Sequence, residues 1–393
     1  MNTKTKNSFF IYLFIIFLPF SWASLSIGSV YRALTIGLFV LFVINSKFKF
    51  TISVDNTKVF ISWLLYIGYC ILTTFWAVNF QAAISNSLSL ILLGLIVLVF
   101  YSTHLSKKNI KQIDKCWVIV GATCAFLYIF GDKTAVGDYG SRTSMIIMGT
   151  ATDPNEFASA FIVPVSLLLF HILHVDKKSY KLLYIVLICL SLYCVLLSGS
   201  RGALISVIMA LLITFLLNRK ISIKTMLITI LTLAIFIFLF IQFIVPLIPT
   251  DVLNRLSLNA LIEDGGSGRK GLWLDALNQI WNGSLFRLFF GHGQYGLTAG
   301  TEGLTQTMHN QFLQQLSNYG IIGLLIYCNL LFQTYKLIVR RCPKYIGAFW
   351  GLMIMSMTIT MSVAYKILWI VLLVPVLYKK QHVKEDYPKN VTE

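Results

Sequence analysis

Apolar runs of about 20 residues recur from one end of this chain to the other, and no other feature constrains its fold as strongly. The hydrocarbon core of a bilayer is about 30 Å thick, and a helix needs about 20 residues to cross it. Lipid offers no partner to backbone N–H and C=O groups, so a crossing segment must pair them internally, as a helix does. Twelve runs are legible, at roughly 8–24, 27–45, 59–78, 84–103, 115–131, 155–174, 180–198, 201–218, 222–248, 318–338, 346–363 and 364–378. Charged residues fill only 12% of the 393 positions. Soluble proteins carry about a quarter, which excludes a string of water-soluble domains. The expectation is a single all-α, polytopic membrane domain over 1–393 with about twelve transmembrane helices. Lys4, Lys6 and the first run imitate a secretory signal peptide, but the runs that follow favour an uncleaved first helix.

The net charge of +17 would suggest nucleic acid in a soluble protein, but its distribution argues otherwise. Of the 32 lysines and arginines, 23 fall in the N-terminal segment, in alternate loops or in the C-terminal tail. Lys107, Lys108, Lys111 and Lys115 mark one such loop; Arg219, Lys220 and Lys224 mark another; Arg340, Arg341 and Lys344 mark a third. Short loops rich in lysine and arginine stay in the cytoplasm, so these loops and both termini are expected there. No positive patch is left over for nucleic acid. The seven cysteines lie in spans or on the cytoplasmic side without metal-type spacing, so neither disulfides nor a cysteine metal site is expected.

Nine basic residues defy that bias, among them Arg142, Arg201, Arg255 and Arg269. Two loops on the outer side are long, about 132–154 and about 249–317, and the second is too long for a mere connection. Beyond a flexible Gly265-Gly266-Ser267-Gly268, it places Trp273, Leu277, Ile280 and Trp281 at helical spacing. An amphipathic helix with two tryptophans suits the membrane interface. It reads as a lid packed on the bundle, as a surface that guides a lipid-linked substrate, or as both.

His292 and His309 are the outward histidines. His309 stands where the chain re-enters a helix, with Phe312, Leu313 and Leu316 at helical spacing, so its ring is expected to face the bundle. A structural, hydrogen-bonded histidine and a proton acceptor both fit that setting. Arg201, in Ser198-Gly199-Ser200-Arg201-Gly202, sits at the start of the eighth span. A guanidinium beside unpaired helix N–H groups makes an anion site, whereas an interfacial arginine snorkelling to headgroups is the plainer reading. In Asp153-Pro154-Asn155-Glu156 a helix cap accounts for Asp153, Pro154 and Glu156, leaving Asn155 to face an outward cavity. Glu263 and Asp264 are adjacent loop carboxylates and read as solvated, so no metal is expected.

In this order, Ser200-Arg201-Gly202, Arg269-x-x-x-Trp273, Gly291-His292-Gly293-x-Tyr295-Gly296, and His309-Asn310 followed by Gly320-Ile321-Ile322-Gly323 resemble the O-antigen ligase and polymerase superfamily of bacterial envelope glycosyltransferases. The resemblance covers about 140–340 and implies a GT-C-like fold in the inner membrane with its active site on the periplasmic face. It implies that Arg201, Arg269 and His309 are catalytic. Arg142, Asn155, Asn310, Trp273 and Tyr295 are the substrate-binding candidates beside them. Such enzymes move a glycan from undecaprenyl pyrophosphate to an acceptor hydroxyl. A polymerase joining lipid-linked repeat units is expected, on the likeness of Asp153-Pro154-Asn155 to polymerases. The alternatives are a ligase that delivers polymer to lipid A core and a transporter of lipid-linked oligosaccharides. The nearly charge-free spans argue against the transporter. No cofactor is implied; the implied partners are the lipid-linked oligosaccharides, membrane lipid, a chain-length regulator and a flippase.

Overall fold

A computed structural model describes residues 3–25, 28–47, 49–103, 105–136, 142–174, 178–217, 242, 245–257, 259, 269–297, 307–361, 363 and 366–378. The expected ninth span, 222–248, falls almost wholly outside them, as do Glu263, Asp264 and the Gly265–Gly268 stretch. Among the described residues, six helices are long and apolar enough to cross a membrane: Val54–Trp76, Phe80–Ser102, Lys108–Phe130, Pro154–His174, Ser179–Leu197 and Gln311–Arg341. Val30–Ser46, Arg201–Leu216 and Lys366–Leu377 are shorter apolar helices. Helix Thr57–Leu72 shows why lipid is the solvent. Trp63, Tyr66 and Cys70 are buried on one face, while Ile61, Leu64 and Leu65 stand exposed on the other. A helix apolar all round needs a bilayer on the side that protein does not cover. The fold is that of an all-α, multi-pass membrane protein.

Packing divides the chain into two compact units, 1–120 with 265–346 and 356–393, and 121–264 with 347–355. In the first, helix Gln311–Arg341 packs along Thr57–Leu72, which in turn packs on Phe80–Ser102. Their core is aromatic: Tyr66 stacks on Trp369 with centroids 5.6 Å apart, and Trp63 and Tyr327 close around the pair. Near the Arg341 end the buried charges are paired. Lys344 Nζ lies 2.7 Å from Asp114 Oδ2, Tyr345 donates to Asp114 Oδ1, and Arg341 donates to Asn56 Oδ1 at 2.6 Å. A low-dielectric interior tolerates such charges only with partners of this kind.

Helix Gln311–Arg341 begins seven residues before the apolar run at 318–338. Its first two turns hold Gln311, Gln314 and Gln315, all buried, which hydropathy alone assigns to a loop, and reach Asn318, also buried, at the start of the run. At Gly320 the helix breaks with φ 67°, a conformation costly for any residue with a Cβ. A Cβ there would also strike the carbonyl of Phe289 and the amide of Gly291. The break turns two carbonyls outward: Ser317 O accepts from His292 N at 3.1 Å, and Asn318 O from Gly293 N at 2.9 Å. The Gly291–Gly293 turn is thereby stitched to the helix.

The second unit holds helices Pro154–Ser159, Ile162–His174, Lys178–Leu197 and Arg201–Leu216, and most of Ile346–Ser356. Close approach fixes one seam, where a Cβ on Gly347 would collide with Thr214 Oγ1. Small residues let membrane helices approach in this way. The 132–154 loop departs from the all-helical expectation. Lys133–Val136 pairs antiparallel with Arg142–Ile147, which pairs with Thr150–Ala151. The β-branched and aliphatic residues of Thr143 and Met145–Ile147 favour that extended form, and Met145 and Ile147 point into protein.

Candidate functional site

The candidate residues fall into two groups, one in each unit. In the first unit, helix Arg269–Trp281 carries Arg269 at its first position and Trp273 one turn on. The Trp273 indole donates to the Met308 carbonyl at 2.8 Å, so the Arg269 helix is tied to the residue before His309. Ala276, Ile280, Leu297, Met308 and Leu313 form a buried cluster beneath that bond, with Leu272, Trp273, Leu288 and Leu316 against it. Arg269 and His309 therefore belong to two segments that the Trp273–Met308 bond and a shared apolar core hold together.

His309 does not lie in the helix. Gln311 is the first helical residue, and Asn310 is its cap, with Oδ1 accepting from Phe312 N at 3.0 Å and Leu313 N at 3.1 Å. The helical-face argument for His309 is thereby corrected: an Asn side chain competes for the first N–H groups and stops the helix after His309. His309 is half-buried and left-handed, with φ 46°. Tyr295 shares that rare state at φ 52° and is also half-buried. Non-glycine residues in this region are strained and concentrate where function demands a set geometry. Gln314 Oε1 holds the loop from beneath by accepting from Met308 N at 2.9 Å.

His292 has a different setting. It is buried, and Nδ1 lies 3.2 Å from the Ser317 carbonyl. Burial lowers its pKa below the ordinary value; the Arg287 charge adds to that and the Ser317 bond opposes it. A neutral imidazole donating to a carbonyl is a structural arrangement. Arg287 itself donates to the Trp76 carbonyl at 2.7 Å, and the Trp76 indole donates to Phe290 O, anchoring the short helix Leu285–Phe290.

The apolar residues of the two loop helices split between two surfaces rather than sharing one face. Ala276 and Ile280 are buried, with Trp273 packed beside them, while Leu274, Leu277, Trp281, Leu285, Phe286 and Phe289 are exposed. One surface packs on the unit, and the other presents a tryptophan and two phenylalanines outward, as an interfacial element would.

In the second unit, Ser200 caps the helix that begins with Arg201, its Oγ accepting from Ala203 N and donating to Asn155 Oδ1 at 2.9 Å. Asn155 is buried, and its Oδ1 is held by that bond. Asp153 caps its own helix, accepting from Asn155 N at 2.8 Å and Glu156 N at 3.1 Å. Arg201 Nε donates to the Arg255 carbonyl at 2.6 Å, and Arg255 Nε reaches the Gly199 carbonyl at 3.4 Å. Two guanidinium groups therefore lie about one turn, beside the N–H groups of a helix start, which is an arrangement suited to an anion. Arg142 opens the strand Arg142–Ile147 in the same unit and is half-buried.

Arg255 was not among the residues singled out by motif. The signal was present, because it is a basic residue on the outer loop, against the charge bias. Gln311, Gln314, Gln315 and Asn318 were also missed, and buried amides leave no mark in hydropathy. Among the described residues no three His, Cys, Asp or Glu side chains gather as a metal site.

Apolar helices, with two arginines at the Ser200 turn of one unit and a strained histidine and buried amides at a helix start of the other, define a multi-pass membrane protein with polar residues gathered at its helix starts. Residues 184–328 match the family model described as O-antigen ligase, and the match takes in Arg201, Arg255, Arg269, Trp273, His309 and the Gln311–Asn318 turns. It supports the O-antigen ligase and polymerase superfamily, the likeness that the Ser200, Arg269 and His309 motifs carry, and suggests a glycosyltransferase-like enzyme. No curated protein matches the chain.

Proposed function

We propose that this protein polymerises a surface polysaccharide, transferring a glycan from undecaprenyl pyrophosphate to a sugar hydroxyl of another lipid-linked repeat unit. The observation that carries this reading is the Trp273–Met308 bond, which fastens the segment bearing Arg269 to the segment bearing His309. Arg201 and Arg255 around the Ser200 turn supply the chemistry for a second phosphate contact.

In the transfer, the bond from the anomeric carbon to the pyrophosphate oxygen breaks, and the bonding pair leaves with the phosphate. Arg269 and, in its own unit, Arg201 are each a guanidinium of the kind that stabilises such charge. The acceptor oxygen bonds to the anomeric carbon and gives its proton to the His309 imidazole, the side chain best suited to accept a proton near neutral pH. Exposed Trp281, Leu285 and Phe286 lie in the outer interface of the inner membrane and guide the polyprenyl chain. The charge bias of the loops supports a periplasmic position for this surface, where a flippase would deliver substrate and a chain-length regulator would act.

Ligation of finished polymer to lipid A core is the second reading, favoured by the description of the matching family. A deletion strain separates the two. Loss of a polymerase leaves core bearing a single repeat unit on the lipopolysaccharide ladder. Core alone, with polymer stranded on its lipid carrier, would overturn polymerisation in favour of ligation.

A further inference from the structure

Two of the basic residues that stand against the charge bias, Arg32 and Lys366, take no part in the transfer chemistry. Both belong to the first unit. Lys366 opens the helix Lys366–Leu373 and is 6% exposed, with Nζ donating to the Val363 carbonyl. Arg32 lies in the first turn of the helix Val30–Ser46 and donates from Nη2 to Ser89 Oγ at 3.2 Å. Both helices pack on the Leu18–Trp22 turn, and the Arg32 guanidinium is near enough for its charge to act on the Lys366 ammonium. Each cation thus meets a neutral oxygen and the other cation. Among the described residues of the first unit the carboxylates are Asp55, Asp114 and Asp275. Asp114 is taken by Lys344 and Tyr345, Asp55 lies beside Arg341, and Asp275 stands exposed on the helix Arg269–Trp281, so none of them neutralises Lys366.

Like charges brought together out of water are costly. A buried lysine can shed its proton, but a guanidinium stays charged, so Arg32 calls for negative charge from outside the chain. The route to it is through lipid. Arg32 is exposed at the head of a stripe one turn apart, Ile36, Val40 and Ile44, all at least half exposed or nearly so, which is the face that a bilayer covers. We propose that Arg32 and Lys366 together bind a phosphate carried on a lipid. Phosphate oxygens accept from a guanidinium and an ammonium at once, and charge-assisted bonds of that kind are strong. A phospholipid headgroup and a polyprenyl phosphate share this chemistry. The binding does not rest on the glycosyl-transfer reading; only the choice of the polyprenyl phosphate would.

The test uses the full chain, delipidated in detergent, and reads binding as the rise in melting temperature while each ligand is titrated in. The probes are phosphatidylglycerol and undecaprenyl phosphate, with diacylglycerol as the phosphate-free control and inorganic phosphate as the lipid-free one. At least one phosphate-bearing lipid is expected to bind more tightly than either control, and the tighter of the two names the source. Lys366→Met, which keeps the length of the side chain without its charge, is expected to weaken that lipid about tenfold or more. Arg32→Gln is expected to do the same, and it decides alone should Lys366→Met fail to fold, since Arg32 is exposed. Phosphate lipids bound no better than diacylglycerol, inorganic phosphate bound as tightly as they are, or undiminished binding by Arg32→Gln overturns the proposal. Because no transfer is measured, full activity of His309 or Arg269 variants would sink the catalytic reading and leave this result standing.

Discussion

Replacing Trp273 with phenylalanine isolates the bond on which the arrangement of the first unit turns. The substitution removes the indole N–H that donates to Met308 O at 2.8 Å and keeps an aromatic ring over Ala276 and Ile280. A hydrogen bond of this kind contributes about 0.5–1.5 kcal/mol, and a carbonyl left unpaired costs about 1–3 kcal/mol when water cannot reach it. Smaller ring volume adds a packing loss in the cluster that includes Leu297 and Leu313. The local cost is therefore about 2 kcal/mol, spent on the loop rather than on the bundle. At 1.4 kcal/mol per factor of ten, the share of molecules with His309 in place falls by up to about thirtyfold. Purified protein supplied with lipid-linked repeat units should show kcat down by about that factor, with little change in KM, because Arg269 keeps its helix. Trp281→Phe is the control, since Trp281 lies on the same helix but is 79% exposed. Reasoning from the Trp273–Met308 bond would be refuted by a Trp273→Phe enzyme at parental kcat, or by an equal loss in Trp281→Phe.

His309→Asn tolerates the left-handed backbone that His309 adopts, so it should remain folded yet lose about 10²–10⁴-fold in rate; parental activity in the same transfer assay would remove histidine from the chemistry. Arg201→Lys and Arg269→Lys keep the charge but not the planar donor pair, and each should lose on the order of 10²-fold at normal membrane levels. Near-normal polymer from both would mean that bulk positive charge suffices. Burial depresses the His292 pKa, so its folded form binds fewer protons than the unfolded chain, and its contribution to stability is present above about pH 6.5 and lost as pH falls through the folded value. Melting temperature followed from pH 7 to 5 should drop less steeply in His292→Gln than in the parent; parallel curves would contradict the assignment. Reporter fusions after Lys111, Arg219 and Arg341 should read cytoplasmic and a fusion near Glu302 external, whereas an external reading at Arg219 would overturn the topology.

How much of this was legible in the sequence depends on what kind of force sets each feature. Apolar runs announce themselves because transfer into lipid is additive along the chain, and described helices such as Phe80–Ser102 and Pro154–His174 follow the runs closely. Caps are local as well. Asp153 could be read as an N-cap because its acceptor serves N–H groups two and three residues on. The same logic, applied to Asn310, would have placed His309 outside the helix, but its outward position and family likeness drew attention to it as a candidate base. What sequence conceals is pairing between distant segments. The Trp273 indole finds a backbone carbonyl 35 residues away, and every residue type carries such a carbonyl, so no pattern marks it. Gln311, Gln314, Gln315 and Asn318 look like loop polarity until Gln294 and Tyr66 arrive to pair with their neighbours. Asn155, which no cap explains, has such a distant partner too: Ser200 donates to its Oδ1 across 45 residues and so braces the turn that presents Arg201. Polar residues in a membrane protein that find partners within the chain, as Asn155 Oδ1 does in the Ser200 hydroxyl, hold a turn in shape.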